Sequence, residues 1–217
     1  MELKNKKMVF LGDSMTEGVG VVDKENNIYW QRFRQDGCEV YGYGIGGTRI
    51  AKQQTHLFAD FDHPFFRTRV PQMEEDADII IVFGGSNDYG HGDAALGTMD
   101  DRTDDTFYGA LHLLYQDLIN KYPKATIVIL TPMHRPDEER VYNQIFIRSL
   151  TNLEGYVKII EEVAAYYSLP VYDVYRKSGV NPSIPAIKEL YLADDVHLND
   201  KGHELLYEKL KAFLLAL

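Results

Sequence analysis

The chain has one cysteine, Cys38, in 217 residues. That excludes an internal disulfide and leaves a buried, inert thiol as the expected state of the side chain. Positive charge is scarce: Lys and Arg number 23 against 33 Asp and Glu, for a net charge of -10. A balance of this sign argues against polyanions, so neither nucleic acid nor an anionic membrane surface is expected as a partner. Long apolar runs are missing as well. No stretch approaches the roughly 20 residues that a membrane helix needs. The early run Met8-Val9-Phe10-Leu11 is too short for the core of a signal peptide, and the expected location is the cytoplasm. No internal repeat or low-complexity linker interrupts the chain. What remains is a globular composition, 45% hydrophobic, over a length that fits one domain, expected to span residues 1–217 with a sizeable core.

Short apolar runs rich in β-branched residues occur at 7–11, 39–43, 79–83, 126–130 and 170–172. The third and fourth, DIIIVFGG and TIVILTP, are continuous rather than alternating, the pattern of parallel strands covered on both faces. Helical spacing follows between and after them. Phe107, Leu111, Leu114 and Leu118 fall on one helical face. Leu153, Val157, Ile160, Ala164 and Tyr167 form a second such set, and Leu206, Leu210, Phe213, Leu214 and Leu217 a third. Asn199 or Asp200 is the expected N-cap of the last, and a further helix is expected over 28–34. Strands alternating with helices predict a doubly wound parallel sheet of about five strands. Such sheets bind ligands beyond the carboxyl ends of their strands.

That rule sorts the motifs. GDSM (12–15) follows the first strand, GIGGT (44–48) the second and GGSND (84–88) the third, so all three project from one rim. Two longer loops, 89–105 and 132–146, belong to the same rim. Near the C-terminus stands DDVHLND, 194–200, where Asp194 and His197 are three apart. A carboxylate accepting from one ring nitrogen of a histidine fixes the tautomer and leaves the other nitrogen as a base. Asp195 is a rival to Asp194, and the three-residue spacing favours Asp194.

Taken together, GDS after strand one, a glycine pair after strand two, G-x-N-D after strand three and D-x-x-H-L before the last helix resemble the SGNH hydrolases, also called GDSL esterases and lipases. The resemblance runs from about Val9 to Gly202. It implies a three-layer α/β/α sandwich around a flavodoxin-like sheet, and a serine esterase that needs no cofactor and acts on a small-molecule ester. Carried onto this sequence, it makes Ser14 the nucleophile, His197 the general base and Asp194 the group that orients it. The oxyanion donors are then the N–H of Ser14, the N–H of Gly47 and the side-chain amide of Asn87. An Asn amide is a donor that does not titrate, and glycine lets a main-chain N–H approach a ligand closely. Met15 stands where the family name implies leucine. Tyr41-Gly42-Tyr43-Gly44 stands where the family's second block often has an asparagine, which leaves Gly46 as an alternative to Gly47.

The remaining candidates have plainer readings. Ser86 lacks the following glycine of a G-x-S-x-G elbow, because Asp88 stands there. Asp13 is expected to bond backbone or neighbouring loops, and His203 to be a capping or surface residue. His56, His63, His91, Asp93 and His134 lack compact ligand spacing, so no metal is expected. Tyr43, Tyr89 and Tyr142 lie on or near rim loops as candidates for the alcohol side of the substrate. The expected activity is hydrolysis of a short-chain or O-acetyl ester of a carbohydrate or other small polar alcohol through a Ser-His-Asp acyl-enzyme. A lysophospholipase or thioesterase would use the same residues. A metal-dependent phosphoesterase and a non-catalytic carbohydrate-binding relative are the rivals from other classes.

Overall fold

In the computed structural model, residues 1–53, 65–140 and 150–217 are described. Five parallel strands form one sheet: β1 (Lys7–Gly12), β2 (Glu39–Gly44), β3 (Ile79–Phe83), β4 (Thr126–Leu130) and β5 (Val171–Tyr172), in the order β2-β1-β3-β4-β5. Leu11 of β1 is in register with Tyr43 of β2 and with Val82 of β3, and Val82 pairs on with Ile129 of β4. Successive side chains of a strand point to opposite faces, and the two halves of the core follow that alternation. Val9, Leu11, Ile80, Val82, Ile127 and Ile129 face one layer, with α4 (Phe107–Lys121) and α5 (Leu153–Tyr166). Met8, Phe10, Ile79, Ile81, Phe83, Val128 and Leu130 face the other, with α8 (Asp200–Ala216), which follows the short α6 (Val174–Lys177) and α7 (Pro185–Tyr191). Helices on both faces make a three-layer α/β/α sandwich, and the continuous apolar runs of β3 and β4 are what burial on both faces demands.

The helices start where capping side chains stop the strand-like backbone. Thr106 accepts from the N–H of Gly109, Asn152 from that of Gly155 and Asn199 from that of Gly202, each meeting one donor the first turn leaves unpaired. Asn199 is therefore the cap of α8, and Asp200 is its first residue. Phe107, Leu111, Leu114 and Leu118 are all buried, as are Leu206, Leu210 and Leu214. The face of α8 ends there, since Leu217 lies beyond the helix and is exposed. The helix expected over 28–34 is instead a tight 3-10 turn at Gln31–Asp36, closed by Gly37. His203 departs from its surface reading: it is fully buried, its Nδ1 accepts the N–H of Tyr29, and its ring stacks on the Tyr29 ring. Cys38 is buried and its thiol donates to the carbonyl of Leu3; burial pushes it up to about 11. No helix among the described residues is long and apolar enough to cross a membrane.

The strand order reverses at β1, which lies between β2 and β3. Open parallel sheets leave a crevice at such a point, outside the carboxyl ends of the strands. Here those ends are Gly12, Gly44 and Phe83.

Candidate active site

β1 ends at Gly12 and turns at once into α1 (Ser14–Glu17), a helix of four residues. Asp13 makes that turn, its carboxylate accepting the N–H of Met15 at 3.1 Å. Burial pushes the Asp13 carboxyl up to about 6, against the pull of the Met15 N–H, His197 and Arg69. Ser14 stands first in the helix, half-buried on the rim. β2 comes very close to α1: a Cβ on Gly44 would lie 2.1 Å from the main-chain nitrogen of Glu17.

The C-terminal loop brings the histidine. Leu192 and Leu198 form an antiparallel bridge, and the Ala193 N–H donates to the His197 carbonyl, so 193–197 is a closed turn. One oxygen of Asp194 accepts the N–H groups of Val196 and His197, each at 2.7 Å. Its other oxygen lies 2.7 Å from His197 Nδ1. Nε2 of the same ring lies 2.9 Å from Ser14 Oγ. Burial pushes the Asp194 carboxyl up, but the main-chain N–H and ring of His197 and the N–H of Val196 outweigh it and hold the group below its ordinary value. Asp195 turns away and pairs with Lys188.

The glycine pair sits opposite. The N–H of Gly46 is taken up by Glu17 Oε2 at 2.6 Å. Gly47 has φ +71°, the left-handed region that favours glycine, and its N–H makes no hydrogen bond among the described residues. Asn87, in α3 (Ser86–His91), donates from Nδ2 to the Thr48 carbonyl at 3.0 Å. Asp88 accepts the N–H groups of Ile50 and Ala51 at 2.9 and 3.0 Å. It is buried, and burial pushes it up to about 6 against those two bonds. The GGSND block therefore holds the loop after β2 by three hydrogen bonds.

Sequence reasoning missed Arg69, at the end of α2 (Phe66–Arg69). It is buried, donates from Nη1 to the carbonyls of Gly12 and Tyr43 at 2.7 Å each, and from Nη2 to Thr48 Oγ1 at 3.2 Å. One guanidinium thus ties the ends of β1 and β2 to the Gly47 loop. Its planar fork reaches the three acceptors from two nitrogens, whereas the three donors of a lysine sit on one. Burial pulls it down to about 10, with Asp13 opposing. No sequence period marks such a residue.

A cleft opens beside Ser14 and Asn87, lined also by Phe83, Met133, His134 and Arg135. Tyr43 and Tyr89 are not among its walls. Tyr43 packs half-buried against the core, and Tyr89 is fully buried, its hydroxyl donating to the Asp137 carbonyl. Tyr89 is in the core because its side of α3 faces Tyr156 of α5. Tyr142, His56 and His63 lie outside the described residues. Ser86 lines the cleft, but its carbonyl and hydroxyl face Arg135. Among the described residues no three His, Cys, Asp or Glu side chains come together in a way that fits a metal ion.

A doubly wound parallel sheet carrying a hydroxyl, an imidazole and a carboxylate in line at its switch point defines an α/β/α hydrolase architecture. The family model of the GDSL-like Lipase/Acylhydrolase family matches residues 10–205, and the chain belongs to that family, whose members hydrolyse ester bonds. Solved structures agree on the fold. A protein from Lactobacillus plantarum is similar at 29% identity and TM-score 0.79, over 99% of this chain and 98% of that one. The lipase/acylhydrolase from Enterococcus faecalis is 20% identical with a TM-score of 0.63, covering 96% and 95%. A member of the lipolytic G-D-S-L family from Veillonella parvula is 16% identical with a TM-score of 0.60, covering 97% and 99%. No curated protein matches the sequence.

Proposed function

We propose that this ester hydrolase works through an acyl-enzyme on Ser14. The observation that carries the reading is the unbroken line from Asp194 through His197 to Ser14 Oγ, with separations of 2.7 and 2.9 Å. Ser14 Oγ attacks the acyl carbonyl carbon as its proton passes to His197 Nε2. Asp194 stabilises the imidazolium that forms. The carbonyl oxygen, now negative, accepts from the N–H of Ser14, the N–H of Gly47 and Nδ2 of Asn87. His197 returns the proton to the departing alcohol. Water then enters, gives a proton to the same nitrogen and attacks the ester carbon; the acyl–Oγ bond breaks, His197 passes that proton to Ser14 Oγ, and the acid leaves. Gly47 rather than Gly46 is assigned the donor role because Glu17 already occupies the Gly46 N–H.

The substrate proposed is a short-chain ester, such as the O-acetyl ester of a sugar or other small polar alcohol. His134 and Arg135, which line the cleft beside Ser14, support a polar alcohol.

A serine-directed phosphonate tests the chemistry: it should label Ser14 alone, and Ser14→Ala should abolish both labelling and turnover. Labelling at Ser86, or turnover unchanged in Ser14→Ala, refutes it. A panel of nitrophenyl esters of rising chain length, run beside acetylated sugars and a lysophospholipid, tests the substrate. Rates that climb with chain length would reject the short-acyl reading.

A further inference from the structure

Asn87 and His91 are four residues apart on α3, one turn along the same helical face. His91 Nε2 lies 3.2 Å from Asn87 Oδ1. On the other edge of the ring, His91 Nδ1 lies 3.1 Å from Arg49 Nη1. The same Nη1 donates to the Gly47 carbonyl at 3.3 Å. An arginine has donors only. Nδ1 therefore has to be the acceptor, and in a neutral imidazole the proton is then on Nε2. That proton points at Asn87 Oδ1. Burial, with the Arg49 and Arg135 guanidiniums adding to it, pushes His91 down to about 4, so the ring is neutral where esterases work.

The consequence concerns the direction of an amide. An asparagine side chain can turn over by half a rotation and exchange its donor and acceptor ends. Only one orientation presents N–H groups to the cleft. With Oδ1 held by His91, one hydrogen of Nδ2 is spent on the Thr48 carbonyl and the other is left for the reacting oxygen. We propose that His91 is a positioning residue of the oxyanion site: Arg49 holds it in the Nε2–H tautomer, and it in turn aims the Asn87 amide at the developing oxyanion. The arrangement couples both assigned donors outside Ser14, because Arg49 contacts Gly47 directly and Asn87 through the ring. The inference rests on the reading of Asn87 as an oxyanion donor.

The test is a double-mutant cycle on the full chain with nitrophenyl acetate, using His91→Ala, Asn87→Ala and the pair. Asn87→Ala should lower kcat about 10²–10³-fold. His91→Ala should lower kcat by roughly 10- to 100-fold, since it loosens the donor without removing it, with KM within about twofold. Once Asn87 is alanine, adding His91→Ala should change kcat by less than about twofold. His91→Leu, which fills the space without a donor, should behave like His91→Ala and keeps the test available if the smaller residue unfolds the helix. If His91→Ala and His91→Leu turn over like the parent, or repeat their full loss in the Asn87→Ala background, the positioning role is wrong while Asn87 stands. If Asn87→Ala alone leaves kcat unchanged, the assignment of Asn87 fails first, and this one with it.

Discussion

Ser14 Oγ and His197 Nε2 lie 2.9 Å apart although 183 residues separate them along the chain. One belongs to the turn out of the first strand, the other to a loop that is closed before the last helix starts. The meeting depends on how firmly each side is held. His197 is held mainly by Asp194, which binds its ring and its main-chain N–H together. Asp194→Asn keeps the shape but replaces an acceptor by an amide, which can present a donor to Nδ1 and favour the wrong tautomer. Turnover should fall by about 10³–10⁴-fold with KM little changed. Steady-state kinetics on a short nitrophenyl ester measure this, and a loss below tenfold would remove Asp194 from the proposed role.

Arg69 offers a prediction about stability. Replacing it by methionine takes one donor from each of three acceptors: the Gly12 carbonyl, which keeps the Ile45 N–H, the Tyr43 carbonyl, which stays in the β1–β2 ladder, and the Thr48 hydroxyl, which keeps its own bond to the Ile45 carbonyl. Hydrogen bonds to a charged donor are worth about 1.5–3 kcal/mol each, and removing a buried cation returns part of that. The net loss should be about 2–4 kcal/mol in a urea titration, a fall of roughly 5–15 °C in Tm. Arg69→Lys should recover only part of it, because one ammonium cannot span the same three acceptors. Full recovery by lysine would mean that charge alone matters there.

The contrast between Arg69 and the serine–histidine pair marks what the sequence makes legible. The strands and the long helices repeat local signals, so periodicity finds β3, β4, α4, α5 and α8 within a residue or two. The motifs GDSM, GGSND and DDVHLND fall at strand ends and before a helix, which locates Ser14, Asn87 and His197 on one rim. Arg69 and Glu17 act on chain segments far from them in sequence, and nothing local announces such contacts. His203 is an intermediate case. It precedes Leu206, Tyr207 and Leu210 by three, four and seven residues, the spacing of a buried face, and those residues are buried with it. Its polarity points to the surface, but the Tyr29 N–H meets Nδ1, while the buried Nε2 has no hydrogen-bond partner among the described residues. Tyr89 shows the reverse: position beside a functional motif says little about which way a side chain points.

Gly44 sets the distance between β2 and the helix that carries Ser14. A methyl group there would lie 2.1 Å from the Glu17 nitrogen and 2.4 Å from the Thr16 carbonyl carbon. Both are backbone atoms, so no side-chain rotation relieves the overlap. Gly44→Ala should therefore destabilise by about 1–3 kcal/mol and, by displacing α1, lower turnover and the yield of phosphonate-labelled Ser14 together. Melting and active-site titration read the two effects separately. Parent-like values in both would show that α1 can move without harm to the site.

Asp13 should carry a pH dependence of definite sign. Its carboxyl ordinarily titrates at 3.8, but in the folded chain it is pushed up to about 6, first by burial. Between those values the folded state holds a proton that the unfolded chain has released. The contribution of Asp13 to stability thus falls as pH rises through that window, and above about pH 6 the loss is complete. A gap of this size corresponds to about 3 kcal/mol as an upper figure. Asp13→Asn has nearly the same shape and retains an acceptor for the Met15 N–H, but it carries no charge to desolvate. The variant should match the parent near pH 4, gain on it up to pH 6 and stay ahead by a constant amount from there to pH 8. Catalysis should move the other way, because the charge of the ionised Asp13 lies near enough to His197 to stabilise the imidazolium that forms transiently during the reaction. Urea titrations at pH 4, 5, 6, 7 and 8 measure the stability difference, and kcat at pH 7 measures the opposing effect. A difference in stability that does not vary with pH would mean that burial does not raise the Asp13 carboxyl, whatever its effect on turnover.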